Sequence, residues 1–247
     1  MSDDPTEDHS YSEGEGFDEP YEGFDLDPPE LEVDPEEVDP VDSRALTDLL
    51  DRRQVPRDRV DAEELLDVGL AYMQINRFEQ ATDTLERVAQ VTDDPLLEQE
   101  ARVNKGAAHA RLEEYDAAVG AYREALRIDD KSEHAATAET NLAYALWESG
   151  RTEQALEHAE RAVEVDPRFG QAWYNRGFFL AERGLYEDAV NCFDNAIRLD
   201  FRTPEVLEEK AAALEALGRD EDAEDLAEEA EELRKRAEQE LVERQRE

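Results

Sequence analysis

From residue 61 onward, apolar and polar positions follow one another at helical spacing, with brief breaks, and the alternation repeats. Small residues make the repeat measurable. Ala81, Ala118, Ala155, Ala189 and Ala223 are separated by 37, 37, 34 and 34 residues. Twelve residues before each comes another small one: Gly69, Gly106, Ala143, Gly177 and Ala211. Seven residues after the last four alanines come Ala125, Ala162, Ala196 and Ala230. Helix axes approach closely only where side chains are short, so these are predicted helix crossings. Gly150, Gly184 and Gly218 stand five before their alanines, where a tight turn between helices calls for positive φ. The pattern predicts five antiparallel helix pairs over 61–237, in units near 62–98, 99–135, 136–169, 170–203 and 204–237, with breaks near 76, 113, 150, 184 and 218. Three extra residues after each of the first two units predict longer loops near 92–97 and 130–134.

The ends differ from this middle. The fifth unit, from Pro204, lacks large aromatics and runs into EDAEDLAEEAEELRKRAEQELVERQRE. That suits a capping helix with a polar outer face, whose end is 238–247. Its early acids and late Arg and Lys complement the helix dipole. Residues 42–60 are expected to form a short helix and linker, with Ser43 as N-cap of SRALTDLLDRR and Pro56 closing it. Residues 1–41 are acidic, rich in Pro and Gly, and without periodicity, and are expected to be a disordered tail. Within them EGFDEPY is followed at once by EGFDLDP, so Phe17, Tyr21 and Phe24 are either part of a solvating tail or a short docking motif.

The repeat resembles the tetratricopeptide repeat family. The unit AWYNRGFFLAERGLYEDAVNCFDNAIRLD, residues 172–200, carries the family's Trp, Gly, Tyr, Ala, Phe and Ala, and the third unit closes on Asp166-Pro167. The resemblance covers about 62–237. It implies an all-α fold: a right-handed α-solenoid of about five helix-turn-helix repeats with a C-terminal capping helix, its first helices lining the concave side.

Charge changes the picture of the partner. The chain holds 68 acidic and 27 basic residues among 247, a net charge of -41. No basic stripe is available for nucleic acid, and anionic membranes are equally poor partners. The acidic tail does not account for the excess: residues 1–43 hold 18 acids and no Lys or Arg, leaving -23 on residues 44–247. Only four of the basic residues are Lys. The composition resembles proteins of extreme halophiles, where molar salt shortens the Debye length to about 3 Å and removes most self-repulsion. No apolar run is long enough to span a bilayer, and the first ten residues lack the basic and apolar parts of a signal peptide. A cytoplasmic protein is expected.

No catalytic constellation emerges. His9, His109, His134 and His158 share no helical turn, so zinc-type spacing is absent. His109 falls at a position the family fills with a core aromatic, and Cys192, beside Phe193, reads as a small core residue. No enzyme and no cofactor are expected.

One residue type recurs in an awkward place. RVNKG, ETNLA and WYNRG each put an asparagine two residues ahead of a Gly or Ala in a predicted first helix, although asparagine competes for backbone hydrogen bonds. Asn141 shares its face with Thr140, Tyr144, Trp147 and Glu148; Asn175 with Tyr174, Phe178 and Glu182; Asn104 with Val103, Ala107 and Arg111. Asp67 and Glu209 hold the same position in units one and five. A carboxamide bonds a peptide C=O and N–H together. Asn104, Arg111, Asn141, Tyr144, Trp147, Tyr174, Asn175 and Phe178 are therefore the candidate peptide-binding residues. The same asparagines could instead bond a neighbouring helix. Of the residues by which the family's carboxylate-clamp members grip a chaperone C-terminus, Asn104 and Asn141 match; Leu66, Thr137 and Asn175 stand where the basic partners belong. The expected function is a non-catalytic scaffold holding an extended segment of a partner protein; the alternative is a self-assembling structural protein with an idle groove.

Overall fold

The computed structural model describes residues 61–244; the acidic tail, the predicted helix of 42–60 and the duplicated EGFD motif lie outside them. Ten helices and no strand occur among the described residues: α1 (Ala62–Gln74), α2 (Phe78–Val91), α3 (Pro95–Arg111), α4 (Tyr115–Ile128), α5 (Ala135–Glu148), α6 (Thr152–Val165), α7 (Gly170–Glu182), α8 (Tyr186–Arg198), α9 (Pro204–Ala216) and α10 (Asp220–Arg244). They pair as α1–α2, α3–α4, α5–α6, α7–α8 and α9–α10. Each pair also packs on the next, through its second helix and through contact between successive first helices. This is the all-α repeat that the small-residue spacing predicts.

The two helices of every pair are joined the same way. Asn76, Glu113, Gly150, Gly184 and Gly218 all have positive φ, between 58° and 79°. After each, a backbone N–H reaches back across the turn: Arg77 to the Tyr72 carbonyl, Glu114 to His109, Arg151 to Leu146, Leu185 to Leu180 and Arg219 to Leu214, at 2.8–3.0 Å. This is the Schellman closure, which satisfies carbonyls that the ending helix leaves free. All five lie at the predicted breaks. The second helices α2, α4, α6 and α8 consequently start without a side-chain cap. Of the first helices, α1, α3 and α9 are capped by side chains, while α5 and α7 are not. Asp61 accepts from the Glu63 and Glu64 amides, Asp94 from Leu96, and Thr203 from Val206.

One expectation is corrected. The long loop near 92–97 is only 92–94, because Asp94 caps α3 and Pro95 occupies its first turn, so the extra residues lengthen that helix to 17. The second longer loop is present, between Ile128 and Ala135.

The crossings explain the small residues. A Cβ on Gly69 would meet Leu85 at 2.8 Å, one on Gly106 the Tyr122 ring at 2.5 Å, and one on Gly177 the Phe193 ring at 2.8 Å. Ala81, Ala118, Ala155 and Ala189 are wholly buried. The resulting core falls into a large cluster running from Val103 through Leu142, Phe179 and Phe193 to Leu214, a separate small one around Leu66, Leu85, Val88, Ala101 and Ala108, and a third of Ala162, Val163 and Ala172 between units three and four.

Charged side chains tie neighbouring pairs together in register. The residue before the first-helix small residue pairs with an acid on the preceding second helix: Lys105 with Glu86 at 2.7 Å, Arg176 with Glu160 at 3.9 Å, Lys210 with Asp194 at 2.6 Å. Burial pushes the Glu86 carboxyl up, but the Lys105 ammonium and Gln90 amide together bring it below its ordinary value. Between units two and three the same register holds Arg123 and Leu142 instead.

Candidate functional site

The face of interest belongs to the first helices α3, α5 and α7. Each asparagine on it has an internal partner. The Asn104 side chain donates to the Glu100 carbonyl of its own helix at 3.0 Å. Asn141 hydrogen-bonds the Tyr122 hydroxyl on the preceding second helix. Asn175, buried, donates to the Thr140 carbonyl on α5 at 3.3 Å. Two of the three therefore join one unit to the one before it, and the recurrence of the residue has a structural cause. A carboxamide at this spot supplies a hydrogen bond between helices whose backbones satisfy themselves internally.

The aromatics are placed unequally. Tyr144 is 45% exposed. Trp147 is half-buried, stacked on Phe179 at 5.2 Å and edge-on to Phe178 at 5.5 Å. Phe178 is half-buried as well, and meets Phe179 at 5.7 Å. Tyr174 is half-buried between Phe193 and Phe201, at 6.1 and 6.0 Å. The structure thus brings Tyr144, Trp147, Tyr174 and Phe178 into one aromatic band, of which Tyr144 is the free end and the others are also core. Arg111 does not join it: its guanidinium lies 5.2 Å over the Phe78 ring, between units one and two.

The band is set among carboxylates. Tyr144 and Tyr115, from different helices, both hydrogen-bond Glu148; desolvation and that carboxylate raise both hydroxyls above their ordinary value. Burial, followed by the charges of Glu209, Glu205 and Glu208, pushes the Tyr174 hydroxyl up to about 12. Burial and the neighbouring Glu182 and Glu208 also raise the Glu209 carboxyl.

His109 is packed, with its Nδ1 2.7 Å from Glu114. Cys192 is buried, and desolvation lifts its thiol to about 11, well away from a reactive thiolate. The sequence reading missed a buried pair, Glu139 and His158, 2.5 Å apart within unit three. The pair lines a crevice of about 290 Å³ with Arg123, Leu126, Arg127 and Arg161. Its one signal was an acid four residues before Ala143, where units one, four and five hold Leu65, Trp173 and Leu207. Among the described residues no three His, Cys, Asp or Glu side chains are grouped to hold a metal, and no helix is long and apolar enough to cross a membrane.

Comparison with known proteins agrees with this architecture. The small glutamine-rich tetratricopeptide repeat-containing protein 2 of Mycosarcoma maydis is 29% identical over 122 residues, 49% of this chain and 34% of that protein. The Hsp70-Hsp90 organizing protein of Triticum aestivum is 30% identical over 137 residues, 54% of this chain and 22% of that protein. The chain thus spans about a third or less of these relatives' own lengths. Among solved structures, BtubC from P. vanneervenii superposes with a TM-score of 0.63 at 17% identity, covering 79% of this chain and 89% of that one, a likeness of fold alone. The tetratricopeptide repeat pattern matches residues 97–168 and again 170–202, so the central units of this chain are tetratricopeptide repeats.

Proposed function

We propose that this chain is a non-catalytic scaffold for protein–protein interaction, and that an extended segment of a partner lies along α3, α5 and α7. The observation that carries the reading is the aromatic band ending in exposed Tyr144, on a helix face whose neighbours are otherwise closed. Aromatic anchors in partly desolvated sites carry most of the binding energy in protein interfaces. The asparagines play a smaller part. One N–H of Asn104 and one of Asn175 are engaged internally, so ligand bonds fall to what remains of each carboxamide. An extended ligand rises about 3.3 Å per residue and first helices lie about 8–10 Å apart, so successive units meet about every third ligand residue.

The test is partner capture in high salt by the whole chain. Tyr144→Ala removes contact area without opening the core, and should weaken capture by about 2 kcal/mol. Trp147→Ala should cost binding at least as much, but also stability, because Trp147 packs on Phe179. Single Asn→Ala changes at 104, 141 and 175 should cost about 0.5–1.5 kcal/mol each. Retention of every partner at wild-type affinity by Tyr144→Ala, Trp147→Ala and the triple asparagine variant would place binding elsewhere.

A second reading, self-assembly, draws on one observation. Val68, on α1, and Ile75, which follows it, are 44% and 60% exposed. In units two, four and five the position of Val68 holds Lys105, Arg176 and Lys210, each paired with the preceding unit. Sedimentation of wild type against Val68→Lys separates this reading from the first.

A further inference from the structure

Each first helix meets the preceding unit along one strip, through the residues five before and two after its small residue. In units two to five these are buried: Ala101 and Ala108, Ala138 and Ala145, Ala172 and Phe179, Val206 and Ala213. On α1 the same strip runs Glu64, Val68 and Ala71, with Ile75 just beyond, and all four are exposed. In the later units the cover comes from the preceding second helix, at fixed steps past its small residue, Ala81, Ala118, Ala155 or Ala189. Seven past stand Val88, Ala125, Ala162 and Ala196, each sharing a core cluster with the first residue of the next strip. Five past stand Glu86, Glu160 and Asp194, which pair with Lys105, Arg176 and Lys210.

The sequence just upstream of α1 repeats this spacing. Ala45 of SRALTDLLDRR lies 24 residues before Gly69, against 25, 25, 22 and 22 from each later second-helix alanine to the next small residue. Leu46 and Leu49 follow Ala45 as Val190 and Phe193 follow Ala189. Five past Ala45 is Leu50, and its counterpart on α1 is Val68: both are apolar where three of the later steps pair unlike charges. Seven past is Arg52, and its counterpart is Glu64: unlike charges where all four later steps pair apolar residues. At both positions the two sides change together, which is what contact between them requires.

We propose that residues 43–53 form a second helix without a first one, which folds back on α1 and closes the leading end of the repeat, with Leu50 against Val68 and Arg52 paired with Glu64. The idea is independent of the groove reading above. Ser43 supplies an N-cap and Pro56 stops the helix. The seven residues 54–60 reach up to about 23–25 Å, ample for stacked helices about 8–10 Å apart. A tether that short gives an effective concentration on the order of millimolar, which favours the chain's own segment over a second copy on the same face.

The experiment uses the full chain in molar KCl, with Leu50→Cys and Val68→Cys made together; the native Cys192 thiol is buried. In a glutathione redox buffer this pair should close a disulfide within the monomer, read by non-reducing electrophoresis and mass spectrometry. It should form about tenfold or more faster than in Asp48→Cys with Val68→Cys, because residue 48 falls on the opposite face of the helix. In the otherwise native chain, Leu50→Asp should speed amide exchange in α1 by about tenfold or more and leave α7 unchanged. A disulfide that joins two chains would give the face to a second copy and overturn the proposal. Equal rates for the two cysteine pairs, or exchange in α1 unmoved by Leu50→Asp, would overturn it as well.

Discussion

Units three and four have the same helix lengths to within a residue and the same glycine turn, yet fill their crossings with side chains of different size. In unit four Gly177 has no side chain and Phe193 fills the space against it. In unit three the same register puts Ala143 on the first helix and Ala159 on the second, both wholly buried. Units one and two follow the unit-four solution, Gly69 under Leu85 and Gly106 under Tyr122. At the crossings of units one to four the first helix is always small, Gly or Ala, and what varies is the second-helix partner, from Ala159 to Phe193.

The sharpest way to break that comparison is Phe193→Ala. It leaves a cavity over Gly177 and should cost about 3–5 kcal/mol, whereas Ala159→Gly in unit three should cost only about 1 kcal/mol, mostly helix propensity. Denaturant melts of the two variants check the difference, and equal losses would show that the crossings are not equivalent. Next comes overpacking. Ala189 is wholly buried beside the Gly177 crossing, so Ala189→Leu should cost about 1–3 kcal/mol. An unchanged melting temperature would show the register to be wrong.

The smallest effect lies in the turns, where units three and four agree and unit two dissents. Gly150 and Gly184 have φ near +75 to +79°, and Glu113 adopts φ +61° at the same position. A side chain there is strained by about 1 kcal/mol. Glu113→Gly should raise stability by roughly that amount, offset in part by unfolded-chain entropy, while Gly150→Ala should lower it by about 1 kcal/mol. Thermal melts that move in the same direction for both substitutions would sink the account.

The fold was legible because its signals are steric. A glycine under a ring and an alanine at a crossing are the residues that the close approach of two helices admits, so their spacing exposes the pairing directly. The turns at 76 and 113 were readable only by extending the register, since Asn76 and Glu113 carry no glycine to mark them. The candidate face was less legible. Tyr122 and Tyr144 are the same residue type, but one, on a second helix, lies over Gly106 and is 1% exposed, while the other, on a first helix, is 45% exposed. What separates them is whether a neighbouring helix supplies the space, which residue type alone does not encode. The asparagines were ambiguous for the same reason, because a carboxamide that joins two helices and one that joins a ligand look alike in sequence.

The division of the core bears on how the molecule yields. Helix α3 belongs to two clusters at once: Ala101 and Ala108 to the small one shared with α1 and α2, Val103 to the large one that continues through α9. Among the described residues, an opening that releases α1 and α2 gives up the cluster around Leu66, Leu85 and Val88, together with the Lys105–Glu86 pair and the Arg111–Phe78 contact. The large cluster is untouched by that event. Amide protons of these first two helices should therefore exchange with solvent by a local route, at rates set by a fraction of the global stability. Within the described residues, tension applied from upstream of 61 is borne by that pair first. The leading repeat is thus a yielding element in series with a stiffer body, and it can detach and return while the aromatic band keeps its shape.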